Sequence, residues 1–334
     1  MIKDRLLGSY DWLLKSEPWV RYNTLIYLQG KPENSSEAKL LRKEIAGHPK
    51  VKAILDELEN WPGVPLKRHN DSSHLIHKLA FVSDLGLKKT DTRIKKIIDK
   101  ILAKQSDEGP FHILSNVDKR YGGSGKDELV WFLCDAPLII YALAQFGLTN
   151  DKKVKKAMQY LLKLQRENGW PCAVSKELGK FRGPGRKDDP CPYANFLMVK
   201  AISKFTQYYD SKELKIGSET ILNLWDERKR RRPYLFAMGT DFQKLKAPLV
   251  WYDVLHVLDV LSNFPFLQKD KRVNEMLDII EAKATPEGKF IPESIYRAWK
   301  DWDFGQKKIP SPWITFLVYR IFYRLGRDVV LSKS

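Results

Sequence analysis

Long uncharged apolar runs are missing from this chain of 334 residues. No window approaches the roughly 18 to 20 residues that a membrane-spanning helix needs, and the first residues lack the apolar run and cleavage site of a signal peptide. Cysteine is scarce as well, since the chain has only Cys134, Cys172 and Cys191. An odd number at wide spacing argues against a disulfide framework. We therefore expect a cytoplasmic protein in a reducing compartment.

Several signatures of common enzymes are also absent. The sequence has no P-loop, no dinucleotide-binding glycine fingerprint and no Gly-x-Ser-x-Gly elbow. Alternating β-branched runs between Asn-Gly turns, which indicate strands, are nearly absent. These gaps argue against the common nucleotide-hydrolysing, dehydrogenase and serine-hydrolase folds, and they predict a helical protein.

Positive charge, by contrast, is abundant. Lysine and arginine number 58 against 41 acidic residues, which gives a formal net charge of +17. A field of that sign favours anionic partners such as phosphorylated small molecules, nucleic acid or an acidic membrane face. The alternative is that many lysines merely solvate helix surfaces, as in some thermophile proteins. The bulk charge alone does not decide between them.

One set of segments is lysine-rich and amphipathic, with apolar residues at three- and four-residue steps and Asp or Ser at the expected N-cap. Its members are "DTRIKKIIDKILAKQ", "DKKVKKAMQYLLKLQ", "SETILNLWDERKR" and "DKRVNEMLDIIEAKA". Three of them are followed by a similar turn, "SDEGPF", "RENGWP" or "TPEGKF". Glycine with an aromatic close behind predicts a tight turn whose ring packs on the core.

A second set is apolar almost all round. Its members are "PWVRYNTLIYLQG", "SSHLIHKLAFVSDLG", "ELVWFLCDAPLIIYALAQFG", "DPCPYANFLMVKAISKF", "APLVWYDVLHVLDVLSNF" and "SPWITFLVYRIFYRLG". Four end in glycine, as expected just past a helix C-terminus. Alternation of the two sets at a spacing of roughly 60 residues indicates repeated helical hairpins.

The apolar set of helices favours closure of the hairpins into a ring, because a helix that is apolar on every side must be covered by protein on both of its sides. Their first turns carry Trp, Tyr, Cys, His and Asp, as if these met at one end of a central cavity. We therefore predict an all-α fold, an α/α toroid of five to six helical hairpins with a central cavity. The expected domain organisation is one domain over residues 1–334, with an N-terminal helical segment at 1–60 and hairpins at 61–326.

A family resemblance supports this fold. The turns "QSDEGPF" and "QRENGWP" resemble the Gln-to-aromatic repeats of the α/α-toroid superfamily, which includes squalene and other terpene cyclases and the β-subunits of protein prenyltransferases. The resemblance covers Lys88 to Gly326 best. It implies a cavity for an isoprenoid ligand, but it does not fix the function, because the fold also hosts non-catalytic domains.

The loops before the apolar helices combine basic residues with Gly or Pro and an aromatic ring. In a ring of hairpins these loops would gather at one rim, where concentrated cations bind anions. Glycines such as Gly183 and Gly185 would let backbone N–H groups approach the anion. The alternative is that the basic residues only face water. The predicted ligand-binding residues are Lys67, Arg68, Arg182, Arg186, Lys187, Lys244, Lys246, Lys307, Trp131, Trp251, Tyr252 and Trp313.

The resemblance also implies a zinc site. In prenyltransferase β-subunits an Asp-x-Cys pair and a histidine of the next inner helix hold zinc, and Asp189, Cys191 and His256 match this set. There are two departures, since Asp253 stands where the family has its histidine and the family's Cys-Tyr is Cys-Pro-Tyr here. The alternative is that Asp189 caps a helix and Cys191 is a small buried hydrophobe.

Candidate catalytic residues are Asp189, Asp253, His256 and His69. His69 belongs to "RHNDSSHLIH", whose histidines would act as a general base or metal ligands, or form hydrogen bonds at a helix N-terminus. Asp135, inside an apolar segment, needs a partner, for which we expect an arginine or lysine of the rim. The Asp-x-Asp-Asp motif of protonating cyclases is absent, and "DDPCP" supplies only two acids of an Asp-Asp-x-x-Asp cluster.

Three functions remain open. The first is a prenyltransferase-like or cyclase-like protein that holds a diphosphate on the basic rim and an isoprenoid tail against tryptophans. The second is a protein that binds nucleic acid or processes a base, for which basic loops with aromatics are suited. The third is a non-catalytic helical scaffold for an acidic partner. The oligomeric state is not predicted.

Overall fold

The computed structural model describes residues 9–179, 181, 187–230 and 237–327. These ranges contain thirteen α-helices and one two-stranded hairpin. The helices are α1 Tyr10–Leu14, α2 Pro18–Tyr27, α3 Ser36–Gly47, α4 Pro49–Leu58, α5 Leu75–Asp84, α6 Thr92–Leu102, α7 Ala136–Leu143, α8 Lys152–Lys163, α9 Pro192–Ile202, α10 Lys212–Asp226, α11 Val254–Leu261, α12 Lys271–Glu281 and α13 Pro312–Leu325. The strands are β1 Ile113–Asn116 and β2 Asp127–Val130. The all-α class predicted from the sequence is confirmed.

The chain forms two compact units. Met1–Pro49 together with Met238–Ser334 form the first, and Lys50–Ala237 form the second. The first is called the terminal unit below, and the second is called the central unit. None of the described helices is long and apolar enough to span a membrane.

The central unit contains the predicted hairpins that precede residue 238. Helices α5, α7 and α9 pack side by side, while α8 packs on α7 and α10 packs on α9. Every residue of α9 is buried, whereas α6 buries only one face, made of four isoleucines. This is the expected alternation of an inner apolar helix with an outer amphipathic one, and it confirms the assignment of the two helix sets.

In the terminal unit α11 packs against α12 and α13, and α13 packs against α1 and α2. A buried ion pair joins two of these helices. The Arg320 Nε and Nη2 atoms donate to Asp259 at 2.9 and 2.8 Å, and Arg324 Nη1 donates to the same carboxylate at 3.1 Å. Because Arg320 and Asp259 are both nearly inaccessible to solvent, α13 can pack on α11 only if each of these charges has the other as its partner.

The glycine turns also form as predicted. Gly169 has φ +113°, and its N–H donates to the Arg166 carbonyl at 3.1 Å. A Cβ at Gly169 would lie 2.6 Å from Thr220 Oγ1 and 2.7 Å from Asn195 Oδ1, so only glycine fits. The ring that follows, Trp170, is fully buried.

Two boundaries differ from the sequence prediction. The segment "ELV" was assigned to the start of an apolar helix, but Asp127–Val130 pairs antiparallel with Ile113–Asn116 as a strand. The helix cannot extend backwards so far because Pro137 in its first turn lacks the N–H that an interior position needs. Helix α10 starts earlier than expected, capped by Ser211 Oγ, which accepts from the Leu214 N–H at 3.1 Å.

Candidate functional site

A pocket of about 580 Å³ opens in the central unit. Its walls come from the loop before α5, from β1 and the turn that follows it, and from the segments before α7 and α9. The lining residues are Leu66, Lys67, Arg68, His69, Ser115, Asn116, Val117, Asp118, Lys119, Tyr121, Gly125, Phe132 and Phe181. The pocket thus lies at the end of the hairpins where inner helices begin.

Backbone hydrogen bonds hold the loop before α5 against the β-hairpin. The Leu66 N–H donates to the Leu114 carbonyl at 2.8 Å, and Ser115 Oγ donates to the Leu66 carbonyl at 2.7 Å. Since Lys67, Arg68 and His69 follow Leu66 directly, this anchor fixes three cationic positions beside β1.

His69 forms the chemical centre of the pocket. Its Nδ1 donates to Asp135 Oδ2 at 2.8 Å, and the Asp135 side chain is 3% exposed while that of His69 is 32% exposed. Burial opposes protonation of the ring, but the charge of Asp135 and its hydrogen bond outweigh burial and raise the pKa of His69 to about 9. His69 is therefore an imidazolium at neutral pH, on the pocket wall. The expected partner of Asp135 was an arginine or lysine, and this is corrected to His69.

The other two histidines of this segment position the loop. His77 Nε2 donates to the His69 carbonyl at 2.9 Å, and burial lowers the pKa of His77 to about 4, so it stays neutral. His74 Nε2 donates to the Val64 carbonyl at 3.1 Å, while its Nδ1 accepts from the Ile76 N–H at the start of α5. The contacts of His74 and His77 are therefore those of the second alternative, in which the histidines form hydrogen bonds at a helix N-terminus.

The pocket wall carries a surplus of positive charge. Lys67, Arg68 and Lys119 line it together with the His69 imidazolium. Its acidic residue Asp118 pairs with Arg120, whose Nη2 lies 3.1 Å from Asp118 Oδ2. Arg120 offsets that carboxylate and Asp135 offsets the His69 imidazolium, so the charges of Lys67, Arg68 and Lys119 give the wall a net field that attracts anions.

Aromatic rings provide an apolar part of the wall. Phe132 packs edge-on to His69, with centroids 5.3 Å apart, and edge-on to Phe181 at 5.8 Å. Tyr121, which is 63% exposed, lies on the same wall as Lys119. The pocket therefore offers cations and aromatic surface to one ligand.

Three thiols lie behind the histidine. Cys134 and Cys191 are buried and Cys172 is exposed, and none is in a disulfide. The Sγ atoms of Cys134 and Cys191 are 3.5 Å apart. Since Cys134 directly precedes Asp135 in the chain, this thiol pair lies beside the His69–Asp135 pair.

The predicted residues of the central unit are partly brought together. Lys67, Arg68 and His69 share the pocket, whereas Arg182 and Arg186, with the glycines between them, lie outside the described residues. Lys187 is exposed, and its carbonyl accepts from Arg166 Nη1 at 2.9 Å.

The cap expected at Asp189 is corrected. Helix α9 begins at Pro192 with Cys191 in the N-cap position, two residues further along the chain, because Pro192 is the proline that occupies the first turn. Asp189 is half-buried.

The predicted acid–base pair of the terminal unit is enclosed. Asp253 caps α11 and accepts from the His256 N–H at 3.0 Å, while His256 Nδ1 lies 2.9 Å from Asp253 Oδ2. Asp253 is fully buried and His256 is 6% exposed. A catalytic role for this pair stays a prediction, since its contacts here are those of a helix cap.

The predicted lysines of the terminal unit differ in their surroundings. Lys246 Nζ lies 3.1 Å from Asp241 Oδ2, and its side chain is 6% exposed. Lys244 Nζ approaches the same carboxylate at 3.4 Å, whereas Lys307 is exposed. Lys246 is thus already occupied by an internal ion pair with Asp241.

The predicted aromatic residues lie mostly in the interior. Trp131 is buried, donates from Nε1 to Glu108 Oε2 at 2.8 Å and packs edge-on against Tyr160. Trp313 and Tyr252 are buried, and Trp251 is half-buried. The aromatic wall of the described pocket is built instead from Tyr121, Phe132 and Phe181.

The predicted zinc ligands belong to different units, Asp189 and Cys191 to the central one and His256 to the terminal one. Within residues 9–179, 181, 187–230 and 237–327, no group of three or more His, Cys, Asp or Glu side chains is placed to hold a metal ion. The zinc site stays a prediction.

Sequence reasoning missed three features of this site. Lys119 was seen as part of a basic loop but was not selected, and Asp135 was not joined to His69. The convergence of the three cysteines was also missed. A signal for it existed, because Cys134-Asp135 and Asp189-x-Cys191 occupy parallel positions in successive repeats.

Comparisons with known proteins find distant similarities. A crystal structure of a protein from Actinoplanes aligns with TM-score 0.46 and 12% identity over 98% of this chain and all of that one. A type II terpene cyclase from Scytonema, in complex with geranylgeranyl dihydroxybenzoate as substrate, aligns with TM-score 0.44 and 11% identity over 97% of both chains. A glycoside hydrolase of family 105 from C. acetobutylicum aligns with TM-score 0.42 and 11% identity over 95% and 93%. No protein-family model and no curated protein matches the chain.

Proposed function

We propose that this chain binds an anionic small molecule in the pocket of the central unit, and that the ligand belongs to the phosphate- or diphosphate-bearing class expected from the sequence. The observation that carries the proposal is the convergence of Lys67, Arg68, Lys119 and the His69 imidazolium on one wall. Hydrogen bonds from cations to phosphate oxygens are about twice as strong as neutral ones.

The aromatic wall supports an apolar portion on the same ligand. Phe132 and Phe181 present ring edges and faces beside the cations, and such surfaces bury hydrocarbon and stabilise positive charge. An isoprenoid diphosphate combines both requirements, so it is the first ligand class to test. His69, held by Asp135, would donate a hydrogen bond to the leaving diphosphate.

The experiment is isothermal titration calorimetry with three probes: inorganic pyrophosphate, geranylgeranyl diphosphate and geranylgeraniol. We expect both diphosphates to bind, the isoprenoid one more tightly, and the uncharged alcohol to bind weakly. Single variants Lys67→Ala, Arg68→Ala and Lys119→Ala should each weaken pyrophosphate binding about fivefold to tenfold, as expected for loss of one partly exposed charge-assisted hydrogen bond worth about 1 kcal/mol.

The matched control is Lys96→Ala, which removes the same charge from an exposed position on α6 of the same unit. It should leave the affinity unchanged. Equal effects of Lys96→Ala and the pocket variants would contradict the proposal and indicate binding to the general positive field. Tight binding of DNA with a log-linear salt dependence, and no pyrophosphate competition, would favour a nucleic-acid ligand instead.

A further inference from the structure

The three cysteines are brought together by backbone hydrogen bonds, not by chance side-chain contact. The Cys191 N–H donates to the Trp170 carbonyl at 2.7 Å, and the Leu133 N–H donates to the Ala173 carbonyl at 2.8 Å. Cys172 lies between these two tie points. The segment that carries Cys172 is therefore fastened on one side to the start of α9 and on the other to the residue before Cys134.

Asn195 reinforces this arrangement. It is fully buried, accepts from the Trp170 N–H at 3.0 Å and donates to the carbonyls of Trp170 and Cys191 at 2.9 and 2.8 Å. Three of these hydrogen bonds, counting the Cys191 N–H bond, join the two segments and hold them in one position.

Cys134 is the middle thiol. Its Sγ lies 3.5 Å from Cys191 Sγ, and the residue before it, Leu133, is bonded to Ala173, the residue after Cys172. A disulfide bond is about 2.05 Å long, so closure of the Cys134–Cys191 pair requires the sulfurs to approach by about 1.5 Å. Cys134 and Cys191 are 6% and 7% exposed, while Cys172 faces solvent.

We propose that Cys134, Cys172 and Cys191 form a dithiol–disulfide site that exchanges with low-molecular-weight disulfides. The exposed Cys172 sulfur attacks one sulfur of the disulfide and releases one thiolate. Cys134 then attacks Cys172 and releases the second thiolate, and Cys191 attacks Cys134 and frees Cys172. Two protein thiols are oxidised to the Cys134–Cys191 disulfide, the small disulfide is reduced to two thiols, and the two protein protons go to the two released thiolates.

The test is alkylation mapping after incubation with oxidised glutathione. The protein is quenched in acid, alkylated under denaturing conditions and digested, and disulfide-linked peptides are identified by mass spectrometry. In the wild type we expect a Cys134–Cys191 peptide and one alkylated thiol, Cys172. Three alkylated thiols after prolonged incubation, with no linked peptide and no mixed disulfide with glutathione, would overturn the inference.

Three variants assign the roles. Cys191→Ala should give a Cys134–Cys172 disulfide, and Cys172→Ser should slow oxidation at least tenfold because the remaining sulfurs are buried. Cys134→Ala should abolish every intramolecular disulfide and retain the glutathione adduct on Cys172. A Cys172–Cys191 disulfide that forms in Cys134→Ala at the wild-type rate would contradict the middle position of Cys134. The wild-type mapping stands even if a variant fails to fold, and it does not depend on the pocket ligand.

Discussion

Replacement of Asp135 by Asn tests the electrostatic centre of the pocket. The substitution keeps the size of the side chain and an oxygen that can accept from His69 Nδ1, but it removes the buried negative charge that lies 2.8 Å from that nitrogen. Burial of the ring then acts alone, and burial disfavours the charged imidazole. We expect the pKa of His69 to fall from about 9 to below its ordinary value of 6.5 in the variant.

The magnitude follows from linkage between protonation and folding. At about 1.4 kcal/mol for each pH unit, the rise from 6.5 to about 9 corresponds to about 3 kcal/mol. The His69 side chain is 32% exposed, so screening by solvent reduces this to about 2 kcal/mol.

The direction of the pH dependence is fixed by the sign of the shift. Because the pKa of His69 is raised in the folded state, its contribution is complete below pH 6.5, where both states are protonated. It is lost as the pH rises through about 9. The difference in unfolding free energy between wild type and Asp135→Asn should therefore shrink by about 2 kcal/mol between pH 6 and pH 10.

The assay is an NMR titration of the imidazole resonances, with His69→Gln to assign the signal among the six histidines. Urea denaturation at pH 6 and pH 10 supplies the free energies. A wild-type His69 that titrates near 6.5, or a stability difference that does not change with pH, would refute the argument that Asp135 holds His69 as a cation.

Further predictions concern packing and metal binding. Asp259→Asn should lower the unfolding free energy by about 3 kcal/mol, because it leaves Arg320 without a buried counter-charge. The control Asp99→Asn, in an exposed i,i+4 pair, should lower it by less than about 0.5 kcal/mol. Equal losses of the two variants in urea denaturation would refute this. Gly169→Ala should destabilise the protein by about 2 kcal/mol in thermal denaturation, because Gly169 has a positive φ and the side-chain oxygens of Asn195 and Thr220 lie close to it. The control Gly47→Ala, at a position with open space around it, should not destabilise the protein. Cys191 cannot bind zinc and form a disulfide at the same time, so elemental analysis of the untagged protein should find well under one equivalent of zinc. If the protein holds one equivalent of zinc and Cys191→Ala loses it, the result would support the zinc site and contradict the redox site.

The helices were predictable because their periodicity is strong and local. The four isoleucines on one face of α6 and the mostly apolar sequence of α9 indicate an outer and an inner helix without any knowledge of the rest of the chain. The β-hairpin was not predictable in the same way, since Asp127–Val130 is short and its partner, Ile113–Asn116, lies in a stretch with no strand pattern.

The candidate site was predictable only in its composition. Lys67, Arg68 and His69 stood out as a basic loop, but what makes them a site is the bond from Leu66 to the β-hairpin and the link from His69 to Asp135 across 66 residues of chain. Such non-local pairings leave no trace in local periodicity. The tryptophans misled for a related reason: Trp131 is as apolar as a pocket wall requires, but in the structure it is buried, packed against Tyr160 and bonded to Glu108.

The binding of pyrophosphate to a charge-matched pair of triple variants tests whether the pocket cations bind the anion. Lys67→Ala, Arg68→Ala and Lys119→Ala combined remove the pocket cations, and Lys39→Ala, Lys43→Ala and Lys96→Ala combined remove the same charge from exposed helix positions. The account predicts that calorimetry detects no pyrophosphate binding to the first protein and wild-type affinity for the second. Equal affinities of the two triple variants for pyrophosphate would contradict it.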